Sequence, residues 1–372
     1  MKDLTKSEPI PSNRLVSIDA LRGFDMFWIA GGEEIFHSLD RVAGSPLTHL
    51  FHTQLQHVGW EGFRFYDLIF PLFLFIVGMV LPFSLTRRLE RGEGRGALYQ
   101  HLAVRLGLLL LLGLVHNGLL DFNFHELRLP GVLQRIAICY FVAGLIVMNS
   151  SVRGQLIAAG AILVSYWAIV ALVPVPGFGA GVITPEGNLA GFLDRTLIPQ
   201  PFCCYQFGDN EGILSTLPAV ATTLLGAMAG HWLRSGQSPQ RKAGGLALAG
   251  LACLVLGNLW GLGFPIIKNI WTSSYVLVAA GWSLLLVALF YWIIDVRGWR
   301  RWAFFFTVIG TNPILIYVLR SQFDLAHVTR VFVRGFINNF GAYTPVVMDF
   351  CVMMTGWLLL YFLYRKKIFL KV

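Results

Sequence analysis

Residues 57–77 read HVGWEGFRFYDLIFPLFLFIV, and this stretch decides the fold. Beyond Asp67 the chain stays apolar to about residue 86. That is long enough for a helix to cross the hydrocarbon core of a bilayer, which takes about 20 residues. A histidine, a Trp-Glu-Gly turn and an aspartate stand at the mouth of that helix. Ionisable groups at membrane depth are costly, so they mark a site or a water-filled path.

Outward from this run the pattern repeats. Ten spans are expected, roughly at 16–37, 64–86, 101–120, 129–149, 155–174, 213–234, 243–263, 272–294, 302–320 and 344–364. The segment 321–343 is only mildly apolar and reads as re-entrant or interfacial. The whole chain agrees: 372 residues are 56% hydrophobic and 13% charged, with a mean hydropathy of +0.64. The fold class is therefore an all-α polytopic transmembrane bundle occupying 16–372, behind a polar tail of residues 1–15. The tail has no apolar core of the kind that signal peptides carry, so the first span is expected to stay in the protein.

The net charge of +9 implies no nucleic-acid partner here. The basic residues sort by side. Lys2, Lys6, Arg14, Arg87, Arg88, Arg91, Arg95, Arg153, Arg234, Arg241, Lys242, Arg297, Arg300, Arg301 and the run from Arg365 to Lys371 fall on one face. Arg41, Arg128, Arg195, Lys268, Arg330 and Arg334 fall on the other. By the positive-inside rule both termini are cytoplasmic, and His57 lies on the outer side, with membrane lipid as the surrounding partner. The longest outer loop, 175–212, is too long for a mere connector and reads as a lid or acceptor site.

Several constellations carry possible chemistry. His57 and Asp67 are ten residues apart across a glycine turn; a carboxylate that orients an imidazole is the usual support for a general base or nucleophile. Asp19 and Arg22 share a helix face, either as a self-neutralising pair or with Arg22 meeting an anionic ligand. Glu33 and Glu34 end the first span, either solvated or receiving a cationic or hydroxyl-rich acceptor. Arg105, Arg128 and Arg135 are arginines at membrane depth. They either pair with Asp25, Asp67, Asp121 or Glu126, or hold phosphates by bidentate hydrogen bonds. Asn269, Ser274 and Asn312 are polar insertions, read as local backbone repair beside Pro313 or as the lining for a pantetheine arm or sugar. Trp60 and Glu211 join the acceptor-side candidates.

The five cysteines have no metal spacing. Cys203 and Cys204 are adjacent and read as a vicinal disulfide, two free thiols or a contact to a partner chain. The sequence lacks GxxxxGK[ST], GxSxG and HExxH, which argues against an ATP-driven pump, a serine hydrolase and a zinc protease.

The motifs RLVSIDALRG (14–23), HVGWEGFRFYDLIFP (57–71), RLPGVLQR (128–135), LVPVPGFG (172–179), EGILST (211–216), NIWTSSYV (269–276), GTNPILIYV (310–318) and YRKKIF (364–369), in this order, resemble the heparan-alpha-glucosaminide N-acetyltransferase family. The resemblance implies acetyl transfer from cytoplasmic acetyl-CoA to the amine of an amino sugar across the membrane. It places the active histidine on His57 and its aspartate on Asp67, and assigns Arg105, Arg128 and Arg135 to CoA phosphates. It also implies a homodimer and, for a bacterial relative, the inner membrane. Two positions depart from the family pattern: IAGGEE (29–34) lacks the family's asparagine, and Arg320 stands where a histidine is expected. A transporter of an amino sugar or N-acetylglucosamine on the same scaffold is the rival reading.

Overall fold

The computed structural model describes residues 15–199 and 201–370, apart from the side chain of Ser321. Lys2, Lys6, Arg14 and the rest of the tail to residue 14 lie outside the described residues.

Among the described residues, eight helices are long and apolar enough to cross a membrane. They are α4 (Phe65–Glu90), α5 (Arg95–His116), α6 (Val132–Asn149), α7 (Val152–Leu172), α9 (Ile213–Arg234), α10 (Pro239–Gly261), α11 (Ser273–Tyr291, continued by a π-helical turn to Val296) and α15 (Thr344–Arg365). The protein is thus an all-α polytopic membrane protein; the only strands described are a two-residue hairpin, β1 (Cys204–Tyr205) and β2 (Gly208–Asp209).

The two other expected spans, 16–37 and 302–320, are corrected by the structure from continuous helices to broken ones. Helix α1 (Val16–Phe27) passes through a π-helical turn to α2 (Glu33–Ala43), and Gly31 at the break has φ 120°. That conformation is open to glycine and strained for other residues. Helix α12 (Phe304–Gly310) gives way to α13 (Pro313–Gln322), because Pro313 cannot donate to the ladder and starts a new helix. The segment 321–343, read as re-entrant or interfacial, holds no spanning helix among the described residues: it forms the short α14 (Leu325–Val333) and a 3-10 turn, Ile337–Tyr343. Helix α3 (Pro46–Gln54) and helix α8 (Leu189–Leu197) lie in loops.

Helix α4 is largely enclosed, with Leu72, Leu74, Phe75, Ile76 and Met79 buried among its neighbours. Its backbone meets α9 directly: a Cβ on Gly78 would sit 1.9 Å from the Thr223 carbonyl oxygen, and one on Gly226 2.0 Å from that of Phe75. Small residues let membrane helices approach closely and gain dispersion contacts. Helix α1 crosses α12 in the same way, Gly23 against Phe306 and Gly310 against Asp19.

The loops sort into two ends, as the charge pattern requires. At one end Gly62 donates to Ile266 O, Trp60 Nε1 to Ile183 O, and Gln322 to His116 O. At the other, Ser17 N–H donates to Asp295 and Arg234 to Pro82 O.

Candidate functional site: a histidine at one end, an arginine-lined cavity at the other

Asp67 occupies the third position of α4, where its carboxylate accepts the Arg64 N–H at 3.1 Å and caps the helix. The same carboxylate accepts from Val58 N–H (3.3 Å) and lies 2.9 Å from His57 Nδ1. Tyr275 of α11 donates its hydroxyl to the Asp67 backbone carbonyl at 2.8 Å. Asp67 is therefore fixed by the helix start, the turn and a neighbouring helix. Its side chain is 1% exposed, whereas that of His57 is 50% exposed. One face of the imidazole is anchored in protein and the rest opens outward.

Sequence reasoning missed a third member. Lys268 Nζ lies 2.9 Å from His57 Nδ1, 3.2 Å from His57 Nε2 and 3.4 Å from Asp67 Oδ1. The α10–α11 loop brings it there. Residues Glu61 and Ile267 form an antiparallel bridge, so the loop pairs with the histidine turn. Thr272 donates to Pro265 O (2.8 Å), and Ser274 to Phe264 O (2.5 Å). Ser274 thus shapes the loop that presents Lys268 and lines no ligand cavity described. Burial lowers the Lys268 pKa from the ordinary lysine range, more than the nearby Asp67 and Glu211 carboxylates raise it. Asn269, next in the chain, is buried in the same loop.

Around this centre, Trp60 packs on Tyr205 of the outer loop at 5.3 Å between ring centroids. The Tyr66 ring lies 4.8 Å from that of His57. Glu33 and Glu34 face Arg320, whose Nη2 is 3.7 and 3.5 Å from them and whose Nη1 donates to Ile29 O at 2.6 Å. Arg320 is thus held by the IAGGEE segment.

Arg128 does not face the cavity that holds Arg22 and Arg105. It grips Asp209 in a bidentate pair (2.7 and 2.6 Å) and also donates to Glu211. Its partners are thus not the carboxylates expected from sequence. Asp209 in turn accepts from the Cys203 and Glu211 N–H groups, and its own N–H donates to Asp194. Burial raises the Asp194 pKa despite two backbone donors. Cys203 and Cys204 are joined in a disulfide beside this network. The 198–212 loop is thus clamped to the start of α6 by buried charge.

At the opposite end, a cavity of about 430 Å³ is lined by Arg22, Arg88, His101, Arg105 and Tyr140. Arg22 lies 3.7 Å from Asp19, the pairing read from the sequence, and also donates to Gly310 O (3.4 Å). Arg105 stacks over Tyr140 at 4.3 Å, and its Nε has no hydrogen-bond partner among the described residues. Phe369 and Leu370 form part of the wall, held by Asn312, which bonds Ile368 O and Leu370 N–H.

Phe73, Ile136, Pro313 and Ile314 border both this cavity and a narrow apolar neck of about 30 Å³ that reaches Phe70. From Phe70 to Asp67 is three residues, about 4.5 Å of helix. Beside the neck, Phe70 touches Trp271, and the fully buried Arg135 guanidinium sits over the Trp271 ring at 4.9 Å. Arg135 donates to Ser215 Oγ and Gly212 O, while its Nε and Nη1 have no partner among the described residues. Unpartnered donors of a buried guanidinium are expensive.

A family profile described as "Heparan-alpha-glucosaminide N-acetyltransferase, catalytic" matches residues 14–260. The human protein named heparan-alpha-glucosaminide N-acetyltransferase is 28% identical over 377 residues, covering 85% of this chain and 56% of its own length. The mouse protein of that name is 27% identical over 378 residues with the same coverage. The chain thus spans little more than half the length of these relatives. With the profile matched across both the histidine turn and the arginine-lined cavity, the chain belongs to the heparan-alpha-glucosaminide N-acetyltransferase catalytic family.

Proposed function

We propose that this protein transfers an acetyl group from acetyl-CoA, taken from the cytoplasmic side, to the amine of an amino sugar on the outer side. The observation that carries this reading is the alignment of three features along α4. A basic cavity lies at one end, an apolar neck lies in the middle, and a carboxylate-held histidine lies at the other end. The inner-membrane location and the homodimer implied by the family belong to the same proposal.

The residues present fit acetyl-CoA. Arg22 and Arg105 would hold phosphates, and the free Arg105 Nε is a donor awaiting an acceptor. The two free donors of Arg135 suit carbonyl oxygens of a pantetheine arm. When bound, acetyl-CoA supplies the acetyl group as a thioester. Arg105→Gln should raise the KM for acetyl-CoA about 10–100-fold, the worth of a charge-assisted hydrogen bond, with kcat changed much less. Steady-state kinetics check this, and an unchanged KM would remove Arg105 from the site.

The chemistry of the outer end follows from the donor set. With Nδ1–H donated to Asp67, the Nε2 lone pair of His57 serves the acceptor amine once Lys268, 3.2 Å from Nε2, turns to the acetyl carbonyl. His57 takes the amine proton as the C–N bond forms, and returns a proton to the sulfur as the C–S bond breaks. Lys268 places a cation where negative charge develops on the carbonyl oxygen.

This role gives Lys268 a pH signature. Its pKa lies below the usual lysine value, so the proton leaves earlier as pH rises. The rate should therefore fall on the alkaline side at a pH below the ordinary lysine range. Lys268→Arg should keep activity and move that limb upward, because guanidinium stays charged. Lys268→Met should lower kcat and abolish the limb. An unaltered pH–rate profile in the methionine variant would exclude the role.

The test of the function is product analysis. Purified protein in detergent with acetyl-CoA and glucosamine should yield N-acetylglucosamine and free CoA by mass spectrometry. Saturable binding of sugar returned unaltered, without CoA binding, would favour transport instead.

A further inference from the structure

Away from His57, a second cavity, of about 800 Å³, opens where the end of α2, the helix α14 and the first turns of α15 meet. Arg41, His327, Arg330 and Arg334 contribute to its walls. It holds one carboxylate, Asp349, which accepts from the buried Ser38 hydroxyl; Arg41 donates to that same hydroxyl at 2.8 Å. Arg330 and Arg334 are one helical turn apart and so share a face. Both are exposed, and neither side chain has a hydrogen bond or ion pair among the described residues. Like charges at this spacing repel. Cations from two elements collected around one cavity are relieved by a bound anion.

The place of the cavity says what kind of anion. Helix α15 is a candidate span that leaves Phe350, Leu358, Leu359 and Phe362 exposed, so it presents an apolar face away from the bundle. Thr344, Pro345 and Met348 of its first turns line the cavity, which therefore lies where the span meets the headgroup layer. Helix α14 is too short to span and leaves Val331 69% and Phe332 78% exposed. A short helix with basic and bare apolar side chains fits the plane of the interface.

We propose that this cavity binds the phosphate of an anionic membrane lipid, held by Arg41, Arg330 and Arg334, with the acyl chains lying along the bare face of α15. The planar guanidinium matches phosphate oxygens two at a time, and basic pockets beside spans attract anionic headgroups. A soluble phosphate ester shares this chemistry and is separated by experiment. Acetyl transfer is not assumed at any point.

The intact protein is released from micelles containing phosphatidylglycerol or phosphatidylcholine, and retained lipid is counted by native mass spectrometry. Phosphatidylglycerol should be retained in preference. Arg330→Gln/Arg334→Gln should cut that retention about tenfold or more, while Arg87→Gln/Arg91→Gln, at the other end of the bundle, should leave it unchanged. Arg330→Lys/Arg334→Lys keeps the charge and should give an intermediate loss, which covers the case of a glutamine variant that does not fold. Equal retention by wild type and the lysine and glutamine variants would overturn the site. Saturable thermal stabilisation by inorganic phosphate, lost in the double variant and without any lipid preference, would overturn the lipid assignment in favour of a soluble phosphate.

Discussion

His57→Ala should lower kcat for acetyl transfer by about 10²–10⁴-fold, the usual worth of a positioned general base. Binding of acetyl-CoA should be unchanged. The separation follows from the geometry. The arginines that fit phosphates line a cavity at the far end of α4, and an apolar neck ending at Phe70 lies between them and the imidazole. Removing the ring leaves Asp67 capping α4 through the Arg64 N–H, so the helix start survives. Isothermal titration with CoA, beside steady-state rates, reads the two quantities independently. Loss of both together would mean that the variant is misfolded or that His57 belongs to the donor site. Full retained activity would remove His57 from the chemistry.

The second large effect concerns stability. Arg128→Met should destabilise the outer loop by about 3–5 kcal/mol, because it leaves two largely buried carboxylates without their cation. The Asp209 side chain is fully buried and that of Glu211 is 9% exposed. Asp209 also orders the Cys203 and Glu211 backbone, so its repulsion from Glu211 would loosen the whole hairpin. A lowered melting temperature in detergent, with faster proteolysis between residues 198 and 212, is the expected readout. Arg128→Met/Asp209→Asn/Glu211→Gln removes the charges together and should recover much of the loss. An unchanged melting temperature in the single variant would show that the trio is solvated and weak, as exposed ion pairs are.

What was legible in the sequence was what depends on local pattern. The long apolar helix after Asp67, and the aspartate at its third position, are both local signals, and the structure joins them through the cap and the histidine turn. The adjacency of His57 and Asp67 needed only one glycine turn between them. Lys268 gave no such signal. It is a single lysine in a loop, and only the pairing of residues 61–62 with 266–267 brings it to the imidazole. Arg128 looked like a phosphate ligand because it sits beside an apolar run. Its true partners lie 81 and 83 residues further on, in a loop without periodicity. Hydropathy averaged over a window also passes over breaks, so α1–α2 and α12–α13 read as whole spans. Gly31 and Pro313 were visible as residues, but only the backbone shows that each interrupts a helix.

The claim that acetyl groups cross the bilayer within this one chain is tested by sidedness. The purified protein is reconstituted into sealed vesicles, and protease access to the 198–212 loop selects a population of known orientation. Acetyl-CoA is then confined to the side of the Arg22–Arg105 cavity and glucosamine to the side of His57. N-acetylglucosamine should accumulate only in the glucosamine compartment, and reversing the two substrates should give none. Product formed only when both substrates share one compartment would contradict transfer along α4.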